Sequence, residues 1–267
     1  MFRSSYLRTF AFVAGVLAAA PGLFAAAPAD ENYDGYAVDG AGVGSPRTLG
    51  GFVYEAQNSG ETWIFPADNL GLTVGSGNVL VTNSATDSAV TWVEFHSSAL
   101  SDNFALVSLT IESLTAGVAR TFTVTGYDGG SGTTAVVSDT IDFAVSDASG
   151  SITYAKNGGA NGGTLTFSSA WQNIDTVRFT ATANSVPYFA LDSIDISAAV
   201  IPAAITSATY DASTGVLSVT GTDVTNGGTI DVSKLTLTGQ GGATYTLTSG
   251  NVTASSATSF SVTLNAA

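Results

Sequence analysis

The apolar residues of this chain recur at every second position in short runs, and this pattern constrains the fold more than any other feature. From Phe52 onward, clusters of Gly, Asn, Asp and Ser separate the runs, as is typical of turns between strands. Helical periodicity is nearly absent. Before residue 198 the pattern predicts strands at 52–56, 61–65, 78–82, 90–95, 104–111, 120–125, 135–143, 164–167, 176–181 and 189–196.

Each predicted strand has an apolar face and a polar face. Thr121, Thr123 and Thr125 alternate with Phe122 and Val124, so one face of this strand contacts water. Strands of this kind pair into two sheets that pack around a shared core. We therefore expect an all-β fold built on a two-sheet sandwich.

A second unit is expected after residue 198. Pro202 interrupts strand pairing and the composition shifts towards Thr, Gly and Val, so we place the boundary near Ala199. Beyond it the alternation predicts strands at 207–210, 216–220, 230–238, 243–248 and 259–264, with turns at 211–215 and 226–228. Residues 199–267 are enough for a small β-sandwich. The sequence stops directly after a strand, and we expect it to be part of a longer chain.

The first 29 residues have the three parts of a secretory signal. Arg3 and Arg8 come first, an apolar run covers 10–24, and small residues end at Ala29. We expect residues 1–29 to be a signal peptide that is cleaved after Ala29, which leaves a secreted or cell-surface protein. The alternative is an uncleaved membrane anchor, although the run is short for a span. No integral membrane segment is expected in the mature chain.

The charge balance excludes several classes of partner and chemistry. The chain has 7 Lys and Arg against 21 Asp and Glu, a formal net charge of -14. We expect no nucleic-acid partner, because phosphate backbones are bound by clustered basic residues and these are scattered singly. The acidic balance attracts divalent cations instead. Cysteine is absent and His96 is the single histidine, which excludes disulfides, thiol catalysis and a Cys/His zinc cluster.

Three segments resemble a known family: FTVTGYDGG at 122–130, WQNIDTVRFT at 171–180 and YFALDSIDI at 188–196. Together they resemble the closing half of a galactose-binding-like jelly-roll domain, which is common in exported bacterial proteins. The resemblance implies a jelly-roll β-sandwich over residues 30–198. Because that family includes many carbohydrate-binding modules, it also implies an extracellular glycan as a candidate ligand.

The second unit is similar to a different group of proteins. Its segments ITSATYDASTGVLSVTG at 205–221 and IDVSKLTLTG at 230–239 are similar to β-sandwich repeats of large bacterial surface proteins and adhesins. The similarity implies an array of repeats, although the sequence contains one copy and shows no internal period. The expected order is a signal peptide, a jelly roll at 30–198 and a surface repeat at 199–267.

A structural calcium ion is predicted at Asp192. Asp192 lies two residues before Ile194, so both side chains are expected to point towards the core. A buried carboxylate without a partner needs a cation or hydrogen-bond donors. In related jelly rolls a calcium ion often joins the first and last strands, and the resemblance implies three further oxygen ligands: Glu31, Asn32 and Asp34. The alternative is that Asp192 caps a turn through backbone N–H groups.

A sugar-binding face is predicted on the strand near residue 92. Trp92, Glu94 and His96 alternate with Val93 and Phe95, so the first three share one face. An aromatic ring beside polar groups grips a sugar by stacking on its C–H face and hydrogen bonding to its hydroxyls. The alternatives are that Trp92 belongs to the core, or that this face only contacts solvent.

Enzymatic activity is not expected. A hydrolytic triad has to use His96, and no Gly-x-Ser-x-Gly elbow accompanies it. The carboxylates available to a glycosidase are Glu55, Glu61, Glu94 and Glu112. We expect a non-catalytic extracellular binding or adhesion module that attaches to polysaccharide or to a neighbouring cell-surface component. The alternatives are a structural surface-layer or matrix component, and accessory domains of a polysaccharide-active enzyme.

Overall fold

The computed structural model describes residues 11–12, 28–39, 42–57, 61–70, 72, 76–82, 90–99, 103–114, 121–129, 134–157, 161–182, 188–200, 203–238 and 242–264. Antiparallel strands dominate these residues, and their one α-helix is the four-residue segment Ala67–Leu70. No helix in this part of the chain is long and apolar enough to cross a membrane. The predicted all-β class is confirmed.

The chain divides into two compact units between Ala199 and Val200. The larger unit is Phe24–Ala199, and the smaller unit is Val200–Ala267 together with Met1–Leu23. Numbered in chain order, the strands are β1 (Ala11–Phe12), β2 (Val43–Gly44), β3 (Arg47–Leu49), β4 (Phe52–Ala56), β5 (Glu61–Pro66), β6 (Asn78–Thr82), β7 (Trp92–Ser97), β8 (Phe104–Ser113), β9 (Thr121–Asp128), β10 (Thr134–Asp142), β11 (Ile152–Lys156), β12 (Gly162–Phe167), β13 (Thr176–Ala181), β14 (Phe189–Ala198), β15 (Ala204–Asp211), β16 (Val216–Thr222), β17 (Thr229–Ile230), β18 (Thr236–Thr238), β19 (Thr244–Thr246), β20 (Val252–Thr253) and β21 (Ser259–Thr263).

Two antiparallel sheets form the larger unit. The six-stranded sheet has the order β10-β9-β13-β7-β4-β3, and the seven-stranded sheet has the order β11-β12-β8-β14-β6-β5-β2. The chain passes repeatedly from one sheet to the other, so strands far apart in sequence become neighbours. The predicted two-sheet sandwich is therefore confirmed, and β7 lies between β13 and β4 in the six-stranded sheet.

The core of the larger unit is rich in aromatic rings. The ring of Phe52 meets those of Phe95 and Phe104 edge-on, with centroids 5.5 and 5.6 Å apart. Trp171 is fully buried, and its Nε1 donates a hydrogen bond to Ser151 Oγ at 3.1 Å. Large rings bury roughly 150–250 Å² each and supply much of the hydrophobic stabilisation of a core. This packing holds together a unit that has no disulfide.

The start of the larger unit pairs with its last strand, β14. Glu31 and Ile194 exchange two backbone hydrogen bonds, at 3.0 and 2.8 Å. Asp30 Oδ1 accepts a third from the N–H of Ile196 at 2.9 Å. Tyr33 follows with a φ of 62° and is fully buried. Because a non-glycine residue rarely adopts such a φ, the buried side chain must hold this backbone in place.

The smaller unit packs three small sheets around a core of its own. The sheet orders are β15-β16-β21, β17-β20 and β1-β18-β19, and β1 lies within the predicted signal peptide. Alternate residues of β16 and β21 fill this core: Leu217 and Val219, with Phe260 and Val262. The predicted turn at 211–215 joins β15 to β16, and Gly215 adopts a φ of 71° there, which a glycine tolerates without strain.

One predicted strand of the smaller unit is wrong. Residues 230–238 are divided into the end of β17, a 3₁₀ turn at Val232–Lys234, and β18. Asp231 Oδ1 accepts hydrogen bonds from the N–H and the hydroxyl of Ser233, at 3.1 and 2.6 Å. Such local side-chain bonds compete with sheet pairing. The alternation also fails to predict β2, β3 and β11, which are edge strands of their sheets.

Candidate functional site

The outer face of the six-stranded sheet gathers polar and aromatic side chains around β7. In the register of the sheet, Glu94 lies opposite Arg178 of β13 on one side and Glu55 of β4 on the other. Val93 and Phe95 of the same strand belong to the core. Alternation therefore places Trp92, Glu94 and His96 on the outer face. We define the sheet-face cluster as six residues: Glu55, Trp92, Glu94, His96, Tyr127 and Arg178.

Arg178 lies at the centre of the sheet-face cluster. Its Nε donates a hydrogen bond to Glu94 Oε2 at 2.6 Å. Its Cζ lies 4.3 Å from the ring centroid of Trp92 and 5.0 Å from that of Tyr127. Both distances are within the range of cation–π attraction. The two rings, both half-buried, and the carboxylate together hold the guanidinium in one position.

A second arginine of the larger unit shows what is unusual about Arg178. Arg47 donates through Nη1 and Nη2 to the two carboxylate oxygens of Asp39, at 2.6 and 3.3 Å. Arg178 donates only through Nε, and no described residue accepts a hydrogen bond from its Nη1 or Nη2. A guanidinium carries five N–H donors in a fixed fork. In Arg47, Nη1 and Nη2 therefore already have an acceptor within the protein. In Arg178 the same two nitrogens have none among the described residues.

Asp39 responds electrostatically to its arginine. Burial alone raises the pKa of Asp39, but hydrogen bonds from Arg47 and from the N–H of Ile64, together with the charge of Arg47, outweigh burial. The pKa of Asp39 therefore lies below its ordinary value. A carboxylate that is paired and hydrogen-bonded in this way stabilises the fold while it is ionised. The Arg47–Asp39 pair is thus a structural element.

Two of the predicted sugar-binding residues lie beneath the surface. The side chain of Glu94 is 2% exposed and that of His96 is 7% exposed. His96 Nδ1 lies 2.8 Å from the carbonyl oxygen of Ser97. Because a carbonyl oxygen only accepts, Nδ1 is the donor in this contact. Nε2 of the same ring is buried without a hydrogen-bond partner, 3.7 Å from Glu55 Oε1.

The predicted calcium ligands lie at the junction of the N-terminal segment and β14. We define the N-terminal acidic segment as Asp30 to Asp34. Glu31 Oε1 accepts hydrogen bonds from the N–H groups of Asn32 and Tyr33 at 3.0 and 2.9 Å, and Oε2 accepts one from the Tyr36 hydroxyl at 2.8 Å. Both oxygens of Glu31 therefore have donors within the protein.

Two other carboxylates, one in this segment and one in β14, also accept backbone hydrogen bonds. Asp34 Oδ1 accepts from the N–H of Asn78 at 2.8 Å, and Asp192 Oδ2 accepts from the N–H of Ser76 at 3.0 Å. Burial raises the pKa of Asp192; the hydrogen bond from Ser76 opposes that rise, and the charge of Asp34 adds to it. These contacts are those of carboxylates that fix loops.

The position of Asp192 departs from simple alternation. The register between β14 and β8 shifts between Leu191 and Ile194, so Asp192 lies at a β-bulge and its parity with Ile194 does not set its direction. Among the described residues, no three His, Cys, Asp or Glu side chains come together closely enough to hold a metal ion. Calcium binding here requires main-chain oxygens as well. The calcium site stays a prediction.

Sequence reasoning does not place three of the six cluster residues at this site, and of these it names only Glu55 as a candidate, as a glycosidase carboxylate. Arg178, Tyr127 and Glu55 come from β13, β9 and β4, and the order of these strands brings them to Trp92. The one indication in the sequence is that each of them occupies a position that alternation assigns to the polar face of its strand. Trp171 is buried in the core. The side chains of Trp63 and Glu61 are not among those that the structure describes.

Comparison of the chain with protein-family models, curated proteins and solved structures found no match. The chemistry of the chain is therefore inferred from its own geometry. In that geometry the sheet-face cluster offers aromatic rings and uncommitted donors, whereas the N-terminal acidic segment offers carboxylates that already accept hydrogen bonds. Of the two, the sheet-face cluster is the better candidate for a ligand site.

Proposed function

We propose that the larger unit is a non-catalytic extracellular module that binds polysaccharide through the sheet-face cluster. The observation that supports this most is the pair of half-buried rings, Trp92 and Tyr127, beside the guanidinium of Arg178 on an outer sheet face. An aromatic ring stacks on the C–H face of a sugar, and adjacent charged groups hydrogen-bond its hydroxyls. The site joins both kinds of contact on a rigid sheet.

The wider setting forms part of the same proposal. The larger unit is a galactose-binding-like jelly roll, and the smaller unit is a β-sandwich repeat of the adhesin type that displays it. After cleavage behind Ala29, the protein is secreted or held at the cell surface. There it attaches to extracellular polysaccharide or to a neighbouring surface.

The proposal is tested by affinity electrophoresis of the full chain through gels that contain a panel of polysaccharides. Trp92→Ala removes the stacking ring and is expected to weaken retention about tenfold, or ~1.4 kcal/mol. Tyr245→Ala is the matched control, because Tyr245 is a well-exposed ring of the smaller unit. An equal loss of retention in both variants, or no loss of retention in either, would contradict the proposed site.

The two alternatives predict different results in the same assays. A structural surface-layer or matrix component gives no retention on any glycan, with calcium present or absent. A polysaccharide-active enzyme releases reducing sugar or unsaturated product from the panel. Glu94 lies opposite Glu55 in the register, but its carboxylate is paired with Arg178, which favours binding over acid–base catalysis. Product release that Glu94→Gln abolishes would establish the enzyme.

A further inference from the structure

The donors of the sheet-face cluster belong to Arg178. Its Nε is fixed by Glu94, its guanidinium is flanked by Trp92 and Tyr127, and its side chain is 20% exposed. The four N–H bonds of Nη1 and Nη2 have no acceptor among the described residues. An arginine fork held in this way loses little rotamer freedom when it binds an acceptor. Arg178 is thus preorganised to donate to a ligand.

The acceptor of the sheet-face cluster is Glu55. Its side chain is 36% exposed, and its one described side-chain partner is His96 Nε2, at 3.7 Å. That separation is longer than a hydrogen bond. The carboxylate of Glu55 is therefore available to a hydroxyl donor. Glu55 and Arg178 stand two strands apart across β7, or about 10 Å between backbones, with Glu94 buried between them.

The charges of the sheet-face cluster discriminate between classes of sugar. It has one guanidinium against two carboxylates, Glu55 and Glu94, in a chain whose formal net charge is -14. A sugar hydroxyl both donates and accepts, so it satisfies Glu55 and Arg178 alike. The carboxylate group of a uronate, or a sulfate group, only accepts and carries a negative charge, so Glu55 and the field of the whole protein repel it.

We infer that Arg178 and Glu55 are the specificity-determining pair of the sheet-face cluster, which takes uncharged, hydroxyl-rich sugars and rejects acidic ones. This inference rests on the proposed function. Arg178 donates to the sugar, Glu55 accepts from it, and Trp92 and Tyr127 contact the ring. Glu94 is a positioning residue that acts through Arg178.

The test uses one neutral hexose polymer that the full chain binds and the same polymer after oxidation of its C6 hydroxyls to carboxylates. Wild type is expected to bind the neutral polymer at least about tenfold more tightly, since like charges placed close together repel. Glu55→Gln keeps the shape and removes the repelling charge. This variant is expected to bind the oxidised polymer more tightly than wild type does, which reduces the preference for the neutral polymer. The control Lys234→Gln changes the charge of the smaller unit and is expected to leave the preference unchanged.

Arg178→Gln is expected to weaken binding of the neutral polymer about tenfold, as hydrogen bonds to a charged group are lost. Because this variant leaves the buried Glu94 carboxylate unpaired, the double variant Arg178→Gln/Glu94→Gln is measured beside it, with melting temperatures for both. Equal or tighter binding of the oxidised polymer by wild type, or full binding by the folded double variant, overturns the inference and leaves the proposed function standing. Binding of no polymer overturns the proposed function itself.

Discussion

The sheet-face cluster and the N-terminal acidic segment are both built from charged side chains in the same unit, yet they use them differently. In the acidic segment, Glu31 accepts three hydrogen bonds from its own surroundings. In the cluster, Arg178 keeps its outer donors uncommitted and Glu55 keeps its carboxylate half-exposed. Burial of a charge is common to both regions. What separates a candidate ligand site from a structural cap is the hydrogen-bonding capacity that the protein itself leaves unused.

The largest expected effect is on the stability of the fold, and it tests whether the N-terminal acidic segment acts as a structural cap. Tyr33→Ala removes a fully buried ring and is expected to lower the free energy of unfolding by about 3–5 kcal/mol. Tyr33→Phe keeps the ring, loses the hydroxyl bond to Tyr54 and is expected to cost only about 1 kcal/mol. Urea titrations of both variants provide the measurement. A loss below about 1 kcal/mol for Tyr33→Ala would show that the segment does not contribute to the fold.

Calcium provides the next largest effect. An ion that binds only the folded state adds about 2.7 kcal/mol at a hundredfold excess over its Kd. The predicted site therefore gives a melting temperature that rises with calcium and falls with chelator, and Asp192→Asn is expected to abolish most of this shift. A melting curve that is unchanged by chelator would contradict the predicted calcium site. The acidic segment would then act only as a structural cap.

One substitution made in both regions sharpens the comparison. Glu31→Gln weakens the acceptor of two backbone N–H groups and the Tyr36 hydroxyl, and is expected to cost about 1–3 kcal/mol of unfolding free energy. Glu55→Gln is the matched control, since Glu55 is half-exposed, and is expected to change stability by less than about 0.5 kcal/mol. Chemical denaturation measures both. Equal losses would show that the two regions are structurally alike.

The smallest effects are pH-dependent and opposite in sign. The pKa of Asp39 is lowered in the fold, so its stabilising contribution is present above the ordinary value of 3.8 and is lost as the pH falls through the lowered pKa. The pKa of Asp192 is raised, so its ionisation destabilises the fold as the pH rises from 3.8 through the raised pKa.

Stability measured between pH 2 and 7 in the presence of chelator separates these two carboxyl groups. Asp39→Asn is expected to be less stable than wild type at pH 7 and to approach it in acid. Asp192→Asn is expected to be at least as stable as wild type at pH 7, and this advantage disappears below pH 4. If both variants lost stability at pH 7 to the same extent, the opposite signs would be contradicted.

Local patterns in the sequence predict the strands well, because the side-chain direction in a strand depends only on alternation. The same patterns place Trp92 and Glu94 on one face of β7. They do not show that Arg178 lies beside Trp92, because that contact depends on β13 pairing with β7 across a long stretch of chain. Asp192 is buried, as its parity with Ile194 predicts, but the bulge between Leu191 and Ile194 means that alternation alone does not set its direction.

The pairing of Glu31 with Ile194 has a mechanical consequence. The two segments are antiparallel, so the chain enters and leaves the larger unit at the same end of this short ladder. Tension applied through the two ends therefore breaks its hydrogen bonds one after another, as in a zipper, instead of shearing them together. Under a pulling load the N-terminal segment peels from β14 first. The six-stranded sheet, which carries Arg178, does not contain β14 and takes no part in this first rupture.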